Sequence, residues 1–318
     1  MINLRRAEWD NGNEIESSPM RKARYGVYER PAIMQDTGAR QAANPPSEGR
    51  RLRQELRQAV REGNFSLAFQ ARRRLSDNGY LGEDAQLRWS ARGRGVVQAN
   101  TFMPMVEECG LTAPVTEWTL AAACQAATAR QDGVISITLP GSVAADASLL
   151  MMVGDALQAS DLPPERLEIA MPEDQVCGDC ATTLMSLSAL RDLGIGVALD
   201  DFGRAGACLI KLKRLPLTAV KLDRSLLRDM VADRAAAFMV RAAIDFAHAL
   251  DVDVVASGVE TEAQRSLLRH IGCDSALERH VHGAPASHDP GRARMAKWQP
   301  GIGHRQETAP GRTVLLLA

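Results

Sequence analysis

The chain has 318 residues, 45% of them hydrophobic and 24% charged, with a formal net charge of -1 at neutral pH. That size suits one large domain or two ordinary ones, and the balance excludes a disordered or membrane-embedded chain and any overall basic field that would attract a nucleic acid polymer. Six cysteines (Cys109, Cys124, Cys177, Cys180, Cys208 and Cys273) are scattered rather than spaced as a secreted framework. With no apolar signal segment at the start and no run long enough to span a bilayer, a cytoplasmic protein with reduced thiols is expected.

Residues 1–46 are rich in Arg, Glu, Asn, Gly and Pro and end in Asn44-Pro45-Pro46, which predicts a flexible tail. From Ser47, an N-cap residue, Leu52, Leu56, Ala59 and Val60 fall at helical spacing and Gly63 offers a stop, which predicts an amphipathic helix opening a domain over 47–287. Short apolar runs then alternate with helical ones, the pattern of a parallel sheet covered by helices. Strands are predicted near 65–70, 86–89, 134–139, 167–170, 196–199, 219–222, 252–256 and 273–277, and helices over 116–130, 181–193, 234–250 and 262–271. In the helix over 234–250, Met239, Ala243, Phe246, Ala247 and Leu250 form one apolar face. Eight strands alternating with helices predict a (β/α)8 barrel, and the Pro- and Gly-containing stretch 288–318 an irregular C-terminal tail.

Glu168, Asp200, Asp201, Lys221 and Glu260 fall on, or just past, the C-terminal ends of different predicted strands. In a (β/α) barrel those ends converge on one face, where such folds place their chemistry. Adjacent acids after an apolar strand are costly unless they bind something.

Asp200-Asp201-Phe202-Gly203, followed by Lys221-Leu222-Asp223-Arg224, resembles the DDFG and KID segments of EAL domains. Phe69-Gln70 is similar to the opening YQP of that family, Leu87-Arg88-Trp89 to the end of EALLRW, and Leu167-Glu168-Ile169 to LELTE. Gly258-Val259-Glu260-Thr261-Glu262 matches EGVETE and Gly272-Cys273-Asp274 the late GCD, so the resemblance runs in family order over residues 50–287. It implies a TIM-like barrel of the EAL type. It also implies an activity, hydrolysis of one phosphodiester of cyclic di-GMP to linear pGpG, in which two Mg²⁺ or Mn²⁺ ions neutralise the phosphate and activate water. On matching positions it implies metal ligation by Asp84, Glu168, Asp200, Asp201 and Glu260, catalytic roles for Lys221 and Glu260, and nucleotide contacts from Gln70, Arg88 and Asp201.

The chain departs from that pattern at several positions. Asp84 stands where the family-naming glutamate falls, Gln86 where its leucine falls, and Ala71 replaces the proline of YQP. Thr138 stands for the metal-binding asparagine, Ser257 for the glutamate of EGVE and Met171 for the second glutamate of LELTE, while Ser275-Ala276-Leu277-Glu278-Arg279 lacks the late glutamine. Shortening or losing several ligands conflicts with the near-ideal octahedron that Mg²⁺ demands. The expectation is a degenerate EAL domain acting as a non-hydrolytic cyclic di-GMP receptor or regulatory interaction module in bacterial second-messenger signalling, requiring no cofactor. The alternatives are a weak phosphodiesterase using Mg²⁺ or Mn²⁺, and a module binding a protein partner without nucleotide; a homodimer through the segment after Gly203 stays open.

Plainer readings accompany these residues. In a metal-free site Lys221 is an ion-pair partner for Asp200 or Asp201. Cys177-Gly178-Asp179-Cys180, with His280 and His282, lacks the spacing of a zinc site and reads as an exposed loop. His248 reads as structural, and Arg72-Arg73-Arg74, ahead of the Asp77-Asn78-Gly79 turn, as a solvated hairpin edge.

Overall fold

The computed structural model describes residues 46–91, 93–130, 133–176, 180–204 and 209–283. Apart from Pro46, the predicted tails lie outside the described residues, as do Cys177, Cys208 and the side chains of His280 and His282.

Helix α1 (Pro46–Glu62) buries Leu56, Ala59 and Val60, the stripe its spacing predicts. It feeds β1 (Phe65–Arg74), which turns directly into β2 (Tyr80–Ala91). The turn follows from local chemistry: the Asp77 carboxylate accepts from the Gly79 N–H at 2.9 Å, and Asn78 takes the left-handed conformation at φ 60°. A connection this short cannot carry the crossover that parallel neighbours need, so β1 and β2 pair antiparallel, from Phe65 opposite Trp89 to Arg73 opposite Tyr80.

The chain continues through β3 (Gly95–Gln98), α2 (Ala99–Glu108), α3 (Thr112–Thr128), β4 (Val134–Thr138), α4 (Leu149–Ser160) and β5 (Leu167–Pro172). It is completed by α5 (Ala181–Asp192), β6 (Gly196–Phe202), α6 (Leu209–Arg214), β7 (Ala219–Leu222), α7 (Arg224–Leu227), α8 (Arg234–His248), β8 (Asp253–Ala256), α9 (Glu262–His270) and β9 (Ser275–Gly283). Strands β1, β2 and β4 to β9 close into a barrel, with β3 paired to the end of β2 beyond the stretch that β4 occupies. All neighbours from β2 round to β9 are parallel. The fold is the expected (β/α)8 barrel, with one correction to the parallel sheet: β1 runs antiparallel to both β2 and β9.

The main core lies between barrel and helices, and at one end Phe65, Trp89, Phe102 and Trp118 meet with ring centroids 5.6 to 5.9 Å apart. Burying each such side chain contributes roughly 1.5 to 3 kcal/mol. Inside the barrel a smaller cluster, Ala170, Ala198, Ala219, Val255 and Leu277, takes one residue from each of β5 to β9. Between β2 and β4 the close approach requires Gly82, at φ 152°: a Cβ there would lie 2.0 Å from the Val134 carbonyl oxygen.

Two helices cap as their sequences direct. Asp233 accepts from the Ala235 N–H at the start of α8, and Thr261 with Gln264 forms a reciprocal capping box on α9. The buried face of α8 is Val240, Ala243, Ile244 and Ala247, with Met239 and Phe238 outward, so the predicted face is turned by about one residue. Among the described residues no helix is long and apolar enough to cross a membrane.

Candidate functional site

Strand alternation builds the deeper part of the site. Asp84 on β2, Ser136 on β4 and Glu168 on β5 are successive cross-strand partners, and all three point inward. Lys221 enters from β7 and is 1% exposed; Glu168 is 4% exposed and Arg72, from the reversed strand β1, 7%. The guanidinium donates to both oxygens of Glu168, Nη1 to Oε2 at 3.2 Å and Nη2 to Oε1 at 2.5 Å, and Nη2 reaches Oδ1 of Asp84 at 3.2 Å. Lys221 Nζ donates to Oδ2 of Asp84 and to Ser136 Oγ at 2.8 Å, and lies 3.7 Å from Oε1 of Glu168. All four carboxylate oxygens therefore face a cation. Burial pushes the Glu168 carboxyl up, but Arg72 and Lys221 outweigh it and hold it at about 2. Burial likewise pulls Lys221 down, and Asp84, Asp200 and Glu168 together raise it above the ordinary lysine value.

The rim is built differently. At the end of β6, Asp200 accepts from Thr138 Oγ1 at 2.7 Å through Oδ2 and from the Asp201 N–H at 2.8 Å through Oδ1. The β6–β7 register shifts there, and Asp201 adopts φ 54°, which sends its carboxylate to Arg204 at 2.7 Å. Burial and the adjacent Asp200 raise the Asp201 carboxyl despite that pair. Glu173 braces the following turn by accepting from the Gly203 N–H at 3.0 Å, and Lys211 donates to its carbonyl. Glu260 is exposed past β8, where its N–H donates to Gln264 Oε1 at 2.9 Å. On the β1–β2 side Gln86 donates to Gln70 at 2.9 Å, Gln70 donates to the Glu278 carbonyl, and the buried Nε of half-buried Arg88 has no hydrogen-bond partner among the described residues.

The EAL domain profile matches residues 53–277. The chain belongs to the EAL family. This EAL domain is 32% identical over 239 residues to the bifunctional diguanylate cyclase/cyclic di-GMP phosphodiesterase MucR of Pseudomonas aeruginosa, covering 74% of this chain and 35% of that protein. It therefore spans about a third of that relative's length. To an uncharacterized protein of Mycobacterium tuberculosis it is 32% identical over 235 residues, 71% of this chain and 76% of the other. Among solved structures, the PaMucR phosphodiesterase in its c-di-GMP complex superposes with a TM-score of 0.68 at 31% identity, over 74% of this chain and 98% of that one. The FimX EAL domain of Pseudomonas aeruginosa, bound to c-di-GMP, shares the fold, with a TM-score of 0.65 at 22% identity over 72% and 95% of the two chains.

Within the EAL barrel the residues singled out from sequence fall into separate groups. Asp84, Glu168 and Lys221 meet in the interior, Asp200 and Asp201 lie at the rim, where Asp200 is near enough to raise Lys221, and Glu260 is exposed past β8. Glu168 was expected at the C-terminal end of its strand; it is the second residue of β5, and the position level with Thr138 is Ala170. Met171, which stands for the second glutamate of LELTE, is core, and Glu173, two residues on, accepts from the Gly203 N–H. Arg72 is not on a solvated edge: β1 extends four residues past Gln70, and alternation turns Arg72 inward with Gln70. Glu83 faces the outer side and pairs with Arg130 at 2.9 Å.

Arg72, Ser136 and Glu173 were not singled out as site residues. The inward alternation of Ser136 with Thr138 was readable from the apolar Ile135 and Ile137; the partners of Arg72 and Glu173 were not. Among the described residues no three His, Cys, Asp or Glu side chains converge where a metal ion would sit. Hard divalent cations take six or more oxygens, and here two interior carboxylates are engaged by Arg72 and Lys221 and one rim carboxylate by Arg204. The donor set does not fit a two-cation centre.

Proposed function

We propose that this EAL domain is a non-hydrolytic receptor for cyclic di-GMP in bacterial second-messenger signalling. The observation that carries the reading is the dispersal of the carboxylates: Asp84 and Glu168 are bound to interior cations, Asp201 to Arg204, and Glu260 is out on the surface. Hydrolysis in this family needs the dianionic charge of the phosphodiester pair offset and a water activated by bound cations. Thr138 and Ser257 stand where the family pattern has a metal-binding asparagine and a glutamate, so an amide and a carboxylate oxygen are both missing. Nucleotide binding asks less. The Arg88 guanidinium, whose Nε has no partner among the described residues, gains an acceptor when a phosphate arrives, and the Gln70–Gln86 pair offers amide groups on the same side of the barrel. Two relatives of the same fold were solved with c-di-GMP.

Calorimetric titration with cyclic di-GMP in Mg²⁺, in Mn²⁺ and in chelator, followed by chromatography for pGpG, tests the proposal. Binding in all three solutions without product is the expected result. Steady product with either cation would make the domain a weak phosphodiesterase instead, and absence of heat throughout would favour a protein-binding module.

A further inference from the structure

Arg72 is a strong base in the middle of a barrel, donating to two carboxylates that lie 12 and 96 residues away along the chain. Buried charge is tolerated only when it is paired and its hydrogen bonds are satisfied. Here two carboxylates, Asp84 and Glu168, meet two cations, Arg72 and Lys221, and the sum is zero. A planar guanidinium suits that position because its fork reaches both acids at once and it cannot lose its charge. A divalent cation bound by Asp84 would lie within a few ångströms of both Arg72 and Lys221, and their repulsion would oppose its entry.

We propose that Arg72 is a built-in cation, held by β1 between Asp84 and Glu168 in the place of charge that a bound divalent ion would otherwise supply. It deepens the receptor reading and rests on it: the interior of this EAL barrel is charge-balanced by the chain itself, so fold and nucleotide binding are indifferent to divalent metal. A tethered guanidinium, unlike an ion, cannot be removed by a chelator or lost at low cation concentration.

The test is Mn²⁺ binding, followed by calorimetry and by the thermal midpoint, on the full chain and on Arg72→Met. The unsubstituted chain is expected to show no saturable Mn²⁺ heat and the same midpoint in Mn²⁺ and in EDTA. Arg72→Met, with two acids left to Lys221, is expected to gain a saturable Mn²⁺ heat and a higher thermal midpoint in Mn²⁺ than in EDTA. Stoichiometric Mn²⁺ uptake by the unsubstituted chain, or a folded Arg72→Met that ignores Mn²⁺, overturns the proposal. If Arg72→Met folds in neither solution, Arg72→Lys decides. That variant keeps the charge, so insensitivity to Mn²⁺ supports the role of charge and a gain of Mn²⁺ binding refutes it. Nucleotide titration in chelator reads the receptor proposal separately, so either can fail without the other.

Discussion

The interior and the rim of this barrel treat the same kind of residue in opposite ways. Inside, Asp84 and Glu168 meet Arg72 and Lys221 in a dry, mutually neutralised group in which all four carboxylate oxygens face a cation. At the rim, Asp200, Asp201 and Arg88 are partly open: Asp200 meets a hydroxyl and a backbone N–H, Asp201 an exposed arginine, and the buried Nε of Arg88 has no partner among the described residues. Charges that solvent cannot reach are committed to the fold, whereas those that water still touches can exchange it for a ligand. The contrast teaches that an acid in a family motif is not by itself a functional group. Its role depends on whether a cation of the same chain reaches it first.

The comparison breaks most readily at Lys221. Lys221→Met removes one of two interior cations and leaves Asp84 and Ser136 short of a donor, which should cost about 3 to 5 kcal/mol. Urea unfolding would read that loss directly, and a variant as stable as the parent would show that the interior group is not structural.

Acid sharpens the same point. Glu168 is held at about 2 in the folded chain against an ordinary 4.5, a depressed carboxylate. Its stabilisation is therefore present above roughly pH 4.5 and lost as pH falls toward 2, on the order of 3 kcal/mol in all. Stability followed by calorimetry should fall over that window, and the fall should be shallower in Glu168→Gln; equal slopes would mean Glu168 gains nothing from its two cations.

Rim substitutions should do the reverse. Arg88→Ala is expected to weaken cyclic di-GMP by about 1.5 to 3 kcal/mol, the scale of hydrogen bonds to charged groups, with the thermal midpoint little changed. Glu260→Gln should alter stability and affinity by less than about 0.5 kcal/mol, as for an exposed side chain. A large effect of Glu260→Gln on nucleotide binding would place it back in the site.

Much of the architecture was legible because it is local. The spacing of Leu56, Ala59 and Val60, the Asp77-Asn78-Gly79 turn and the Thr261–Gln264 capping box each act within a few residues, so sequence alone determines them. The alternation of apolar runs with helices was enough for the barrel, and the Asp200-Asp201-Phe202-Gly203 and Lys221-Leu222-Asp223 segments for the family. Tertiary structure decided the rest. Whether β1 stops at Gln70 or runs on to Arg74 depends on its pairing with β2 and β9, and only that extension turns Arg72 inward. The depth of Glu168 is set by its register against Ser136 and Gly196, and the partner of Glu173 lies on the next strand's turn. Side-chain period along a strand is a property of the backbone, readable from the order of residues. The charge that meets another across a barrel is decided by strand register and closure, because groups far apart along the chain become neighbours only when the sheet closes on itself.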